Sequence, residues 1–176
     1  SETLALLETA SPAAIIFDQA LPYRGFNGLQ INVDQIGCFA AYPPASPIMG
    51  DPNRPCYINF TSGTSGRPRA VLHAHRAVWA RRMMWKGWYD LRSDDVMMHS
   101  GAFNWTYTLG TGLLDPWAIG ATAIIPNTQK IEDVWDIMRS EQATIFAAAP
   151  GIYRRLLTTP NAANVPALRH GLSAGD

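Results

Sequence analysis

Apolar positions along the chain change their spacing from segment to segment, and the spacing predicts the elements. In residues 1–9, Leu4, Ala5 and Leu7 fall at helical spacing and Pro12 ends the run; Ala13, Ala14, Ile15, Ile16 and Phe17 then form a short apolar segment closed by Asp18. A helix followed by a buried strand is expected there. Residues 19–55 hold Gly25, Gly28, Pro43, Pro44, Pro47, Pro52 and Pro55 around one apolar patch at 36–42, the composition of a connector. A connector that long is unusual in a compact domain, so it is expected to lie over a surface that other parts of a larger protein cover. Residues 56–60 and 70–73 alternate as strands do, around a glycine- and hydroxyl-rich loop, which predicts a hairpin. Residues 75–88 place Val78, Met84, Trp85 and Trp88 among arginines and a lysine, an amphipathic helix with cationic stems along its edges.

The second half is more regular. Asp94-Asp95 reads as a solvated turn before a strand at 96–99. Residues 105–119 form an aromatic, glycine-containing helix candidate that Pro116 should break, and residues 120–126 form a short buried strand. Thr128 is placed to cap a helix with Glu132 and Asp133 in its first turn, Ile131, Val134, Trp135 and Met138 as its apolar stripe, and Arg139 near its end. A strand at 144–148, a helix from Pro150 to Leu157 and a strand at 168–172 follow. Strands alternating with helices, and apolar enough to be covered on both faces, predict βαβ units in a parallel sheet. The expected fold class is therefore α/β: a mostly parallel sheet flanked by helices, with a β-hairpin carrying the loop.

Composition narrows the function classes. The chain has 176 residues, 47% hydrophobic and 16% charged, with formal net charge +0, so any attraction for anions must be local and no nucleic-acid or membrane-surface footprint exists. Two cysteines, Cys38 and Cys56, are too few for a disulfide framework and read as small apolar residues; no secretory signal stands at Ser1 onward, and no apolar run reaches the roughly 18 residues of a membrane span. A cytoplasmic location is the expectation.

The loop itself reads Phe60-Thr61-Ser62-Gly63-Thr64-Ser65-Gly66-Arg67-Pro68-Arg69-Ala70. Its glycines let backbone N–H groups turn inward, its hydroxyls fringe the concavity and two arginines flank it, which suits a polyphosphate. An ordinary Gly/Ser hairpin loop fits the same pattern. A P-loop does not, because Gly66 is followed by Arg67-Pro68-Arg69 rather than Lys-Ser/Thr.

The loop resembles the signature of the adenylate-forming superfamily, Tyr/Phe-Thr-Ser-Gly-Thr-Thr/Ser-Gly-x-Pro-Lys-Gly, with Arg69 where that family usually has Lys and Ala70 where it usually has Gly. The resemblance continues through Val71-Leu72-His73-Ala74-His75-Arg76, Phe103 to Gly110, Gly120-Ala121-Thr122, Pro150-Gly151-Ile152-Tyr153 and Leu172-Ser173-Ala174-Gly175. It implies ATP-dependent activation of a small carboxylic acid through an acyl-adenylate, followed by transfer to coenzyme A, as in AMP-forming acyl- or aryl-CoA synthetases. It assigns Thr61, Ser62, Gly63, Thr64, Ser65, Gly66 and Arg69 to the ATP phosphates, with Mg²⁺ accompanying ATP near Thr61. Asn104, Trp105, Ser173, Ala174 and Gly175 fall on the acid side, with Trp105 at its gate. Expected partners are the acid, ATP and coenzyme A, without nucleic acid or membrane, and with self-association into a homo-oligomer left open.

The same resemblance implies a partial N-terminal AMP-binding domain. Residues 1–55 would be an edge and connector segment and 56–176 the phosphate-loop hairpin plus βαβ core; the C-terminal domain with its catalytic Lys and the Tyr-Gly-x-Thr-Glu stretch are absent. Such a piece is not expected to complete adenylation alone. Two other readings compete. Gly171-Leu172-Ser173-Ala174-Gly175 fits Gly-x-Ser-x-Gly, the nucleophile elbow of a serine esterase, and the chain could be a non-catalytic nucleotide-binding segment. His73, His75, His99 and His170 lack the paired spacing of a metal site and read as strand-end and turn residues that make hydrogen bonds.

Overall fold

The computed structural model describes residues 2–18, 24–61, 68–128, 130–159 and 164–175. Its first half is built from ribbons. Helix α1 (Glu2–Ala10) leads into β1 (Ala14–Phe17), which pairs in parallel with β2 (Leu29–Asn32). The expected connector thus contains a strand, and a 3₁₀ helix at Val33–Ala41 as well, started by an Asn32–Gln35 capping box. Strand β1 is not buried as its composition suggests, for Ile16 is 63% exposed. The hairpin is present: β3 (Pro55–Thr61) and β4 (Arg69–Ala74) run antiparallel with Thr61 opposite Arg69.

The single helix expected at 75–88 is two, α2 (His75–Ala80) and α3 (Arg82–Gly87). They meet at Arg81, whose guanidinium reaches into the body of the protein. Its Nε and Nη2 donate to the Asp115 carboxylate at 2.8 and 2.6 Å, and Nη2 also donates to the Thr111 hydroxyl. Gly110 makes room, because a Cβ there would lie 2.3 Å from Arg81 Cζ. Arg82 points the other way and stacks between Trp79 and Trp85, 5.4 and 5.7 Å from the ring centroids.

The second half is one four-stranded parallel sheet. Its strands are β5 (Val96–Ser100), β6 (Thr122–Ile124), β7 (Ile145–Ala148) and β8 (His170–Ser173), in the order β6-β5-β7-β8. Pro116 does not break the helix that links β5 to β6. Segment α4 (Thr106–Leu109) widens into a π turn at Gly110–Leu114 and continues as α5 (Asp115–Ile119). Pro116 stands at the start of α5, where its missing N–H falls at the edge of the widened turn. Strand β6 is a half-exposed edge rather than a buried strand, and the last strand starts two positions later than the apolar run suggests. Helices α6 (Ile131–Ser140) and α7 (Pro150–Leu157) match expectation, except that Lys130 holds the N-cap position of α6. Thr128 instead donates to Asp133 and accepts from the Lys130 N–H.

Alternation along β5 and β7 sends successive side chains to opposite faces. Met98, Phe146 and Ala148 pack with Val134, Met138 and Leu156 of α6 and α7. Met97, Ile145 and Ala147 pack with Tyr89, Leu91 and Leu172, flanked by Trp85 and Tyr107. Each fully buried Met, Ile or Phe contributes about 1.5–3 kcal/mol, and the buried Met, Ile and Phe side chains lie on this sheet and the helices against it. The chain leaves β5 toward the α4–α5 face and β7 toward the α6–α7 face. A crevice therefore opens between their carboxyl ends, the place where open α/β sheets receive ligands.

At the opposite, amino end, Asp95 ties three strands together, and the expected solvated turn is wrong for it: Asp95 is 3% exposed. Its carboxylate accepts from the Thr144 hydroxyl (2.7 Å), Arg169 Nε (2.8 Å), Arg169 Nη2 and the Arg92 N–H (2.7 Å). The Thr144 oxygen in turn accepts from the Val96 N–H at 2.9 Å. Burial alone would push the Asp95 carboxyl up; the hydrogen bonds from Arg169, Thr144 and Arg92, with the Arg169 charge, outweigh it and hold the group below the usual range.

Candidate functional site

The described residues expected to bind ligands fall on the hairpin, on the turn after β5 and at the end of β8. The first is the hairpin. Thr61 and Arg69 face each other as its last paired residues before the loop, and both are exposed. Ser62, Gly63, Thr64, Ser65 and Gly66 lie outside the described residues. The second is the turn from β5 into α4, with Asn104 exposed and Trp105 in extended backbone at the helix N-cap position.

One residue that sequence reasoning missed joins the two. Asn59, on β3, is 5% exposed and reaches the start of α4. We orient its carboxamide with the oxygen toward Thr106, because the helix terminus presents a backbone N–H there. The oxygen then accepts from the Thr106 N–H and hydroxyl, each at 2.9 Å, and the amide nitrogen donates to the Ile58 carbonyl. The hairpin is thereby fixed to the segment that carries Trp105. Tyr57 and His73, paired across the hairpin, stack at 4.6 Å and stiffen it.

The acid-side residues also converge. Gly175 adopts φ +86, a conformation suited to glycine, and a Cβ there would lie 2.7 Å from Trp105 Cη2. The indole thus packs on the turn after β8 that holds Ala174 and Gly175. Ser173 ends β8 opposite Ala148 and is exposed; no described histidine bonds to it, so the esterase arrangement is not assembled among the described residues.

Behind Trp105 lies His99, the second residue that sequence reasoning misjudged. It is 3% exposed, meets Trp105 edge-on at 6.5 Å and Tyr107 at 4.6 Å, and backs onto Gly112, where a Cβ would lie 2.6 Å from its own. Neither ring nitrogen has a hydrogen-bond partner among the described residues, against the expectation that the histidines serve as hydrogen-bonded turn residues. Burial pushes its pKa down to about 4, so the ring is neutral at pH 7. The hydroxyls of Tyr107 and Thr108 are likewise buried without partners among the described residues, and burial pushes the Tyr107 phenol up to about 12. His99 also forms a wall of a cavity of about 440 Å³, with Ser100 to Phe103 on one side and Ile125, Pro126 and Thr128 on the other. Among the described residues no cluster of His, Cys, Asp and Glu is placed to hold a metal ion, and no helix is long and apolar enough to cross a membrane.

A loop-bearing hairpin docked beside a parallel sheet is the architecture of the N-terminal domains of adenylate-forming enzymes. A solved benzoate CoA ligase from Burkholderia xenovorans superposes with a TM-score of 0.88 at 20% identity, over 99% of this chain and 38% of that one. The chain belongs to the AMP-binding enzyme family, whose profile matches residues 5–176. It is similar to a 4-hydroxybenzoate--CoA/benzoate--CoA ligase of Rhodopseudomonas palustris, 33% identical over 59% of this chain and 20% of the relative. It is also similar to a 3-hydroxybenzoate--CoA/4-hydroxybenzoate--CoA ligase of Thauera aromatica, 30% identical over 71% of this chain and 24% of the relative. The chain thus spans about a fifth to a quarter of the length of these curated relatives.

Proposed function

We propose that this chain is the phosphate-loop hairpin and βαβ part of an AMP-forming acid–thiol ligase. The ligase activates a small carboxylic acid with ATP and passes the acyl group to coenzyme A. The observation that carries the reading is the Asn59 link, which sets the hairpin ends Thr61 and Arg69 in fixed relation to Trp105 and Gly175. An enzyme that joins a carboxylate to a nucleotide phosphate needs that relation, because its rate rests on positioning two anions. Family membership and the names of the relatives support the same chemistry.

The substrate carboxylate attacks the α-phosphorus of ATP, forming the acyl-adenylate and releasing pyrophosphate; the coenzyme A thiol then displaces AMP. No side-chain nucleophile enters either step. In this chain, Thr61, the backbone and hydroxyls of Ser62 to Gly66, and Arg69 would grip the leaving pyrophosphate. Mg²⁺ bound with ATP would neutralise part of its charge. Arg69 carries a fixed positive fork where the family commonly has an ammonium, which suits two phosphate oxygens at once. Trp105, against Gly175, would bound the acid. The ring cluster of His99, Trp105 and Tyr107 favours an aryl acid over an aliphatic one, since flat rings pack edge to face at the observed separations.

Pyrophosphate release by the complete polypeptide, with ATP·Mg²⁺ and a panel of aryl and short aliphatic acids, tests the activity. Arg69→Ala should weaken ATP use by roughly 10- to 100-fold, the worth of a charged hydrogen bond. An unchanged ATP dependence would remove the loop from the mechanism, and turnover by the 176-residue chain alone would overturn its assignment as part of a larger domain.

A further inference from the structure

The activation chemistry uses no buried ion pair, yet one joins the end of α2 to the start of α5. Arg81 and Asp115 pair through two hydrogen bonds, their side chains 16% and 2% exposed. The same carboxylate accepts from the Tyr89 hydroxyl at 2.5 Å. Burial, then the hydrogen bond and charge of Asp115, push the Tyr89 phenol up, so the proton stays on Tyr89 and Asp115 stays the acceptor. A buried ion pair is a poor source of stability, because well-packed apolar residues of similar volume do as well or better. Its setting also works against a regular helix: the guanidinium needs a glycine at position 110, where a π turn begins.

What the pair supplies is a second point of attachment. Strand β4 runs from Arg69 to Ala74, α2 starts at His75 and Arg81 follows its last residue, so no loop separates Arg69 from Arg81. Arg81 bonds Thr111 and Asp115, which lie on the helical run that starts after Trp105. Trp105 is part of that run's first turn, its carbonyl accepting from the Leu109 N–H at 3.0 Å. From the other strand of the hairpin, Asn59 bonds Thr106 on the same run. A single tether would let the hairpin swivel about it, whereas two at separate turns fix its direction. We propose that Arg81 is a positioning residue for acyl-adenylate formation: with Asn59 it clamps both strands of the phosphate hairpin to the segment that carries Trp105. The inference rests on the ligase reading above and adds the residue that aligns nucleotide with acid. Such a residue acts on the step that joins the two substrates and not on binding either one, so its loss lowers kcat and leaves both KM values nearly unchanged.

The test measures kcat and KM for ATP·Mg²⁺ and for the acid of the panel above that wild type activates fastest, by pyrophosphate release in the complete polypeptide and two variants. Gly110→Ala puts a methyl group 2.3 Å from Arg81 Cζ. It meets the tip of a flexible side chain, so the guanidinium moves aside while the helix backbone stays. Arg81→Met combined with Asp115→Asn removes both charges and keeps an acceptor for Tyr89, which avoids the unpaired buried carboxylate that Arg81→Met alone would leave. Urea unfolding verifies that each variant is folded. Both should lower kcat by about 10- to 100-fold, with each KM within about twofold of wild type. A folded variant of either kind with wild-type kcat overturns the inference, as does a loss carried by KM, while the ligase reading stands. A wild-type protein that activates no acid overturns both.

Discussion

The two ends of the parallel sheet are made of the same strands and have opposite polar chemistry. At the amino end, Asp95, Thr144 and Arg169 satisfy one another and the backbone of β5. At the carboxyl end, His99 and Thr108 are equally buried and have no partner among the described residues. Saturated polar groups hold strands in register, whereas unsaturated ones cost stability until a ligand meets them. The difference separates an end that serves as scaffold from the end proposed as the site.

Four measurements would break or sharpen that contrast. The largest effect is expected at the scaffold end, where Asp95→Ala leaves Arg169 with only the more distant Asp90 carboxylate and frees the Thr144 hydroxyl and Arg92 N–H. Urea unfolding should show a loss of about 3–5 kcal/mol, and a loss below 1 kcal/mol would mean the cluster does not hold the strands. Next comes acid sensitivity. The folded His99 pKa of about 4 lies below the unfolded value of 6.5, so the unfolded state binds the extra proton between them. Stability should fall as pH drops from 6.5 to 4, by about 3 kcal/mol in full, and His99→Leu should flatten that stretch of the curve. Asp95 adds a separate loss at lower pH, because its folded value is depressed below 3.8 and its contribution disappears as the carboxyl protonates.

The third and fourth use one substitution at both ends. Thr144→Val removes a hydroxyl that donates to Asp95 and accepts from Val96, and should cost about 1–3 kcal/mol. Thr108→Val removes a buried hydroxyl without a partner and should be neutral or stabilising by up to about 1 kcal/mol. Equal losses at the two positions would erase the distinction between the ends.

The scaffold was far more legible in the sequence than the site's supports. Ile131, Val134 and Met138 announce α6 by spacing alone, Pro150 fixes the start of α7, and alternating short apolar strands give the parallel sheet. The hairpin follows from alternation on either side of the loop, and the approach of Trp105 to Gly175 follows from resemblance rather than from local pattern. Asn59 was illegible because a polar residue in a strand looks like a solvent-facing position, and its partner Thr106 lies 47 residues away. His99 hid at the end of an apolar strand for the same reason. Asp95 resembled any acidic turn residue until Arg169, 74 residues on, was seen beside it. Strand β2 and the 3₁₀ helix were masked by glycines and prolines, whose frequency dominates composition without excluding short elements.

The π turn at Gly110–Leu114 has a consequence for how this pocket can change over generations. A π turn amounts to one residue inserted into an α-helix. Deleting one residue there would restore regular winding and leave Trp105 and Tyr107 in nearly the same orientation relative to Asp115 and its anchor on Arg81, because the wide turn and the α turn that replaces it each complete about one revolution. A single codon lost or gained would therefore be absorbed within the turn, leaving the aromatic residues aimed as they are and the sheet unchanged.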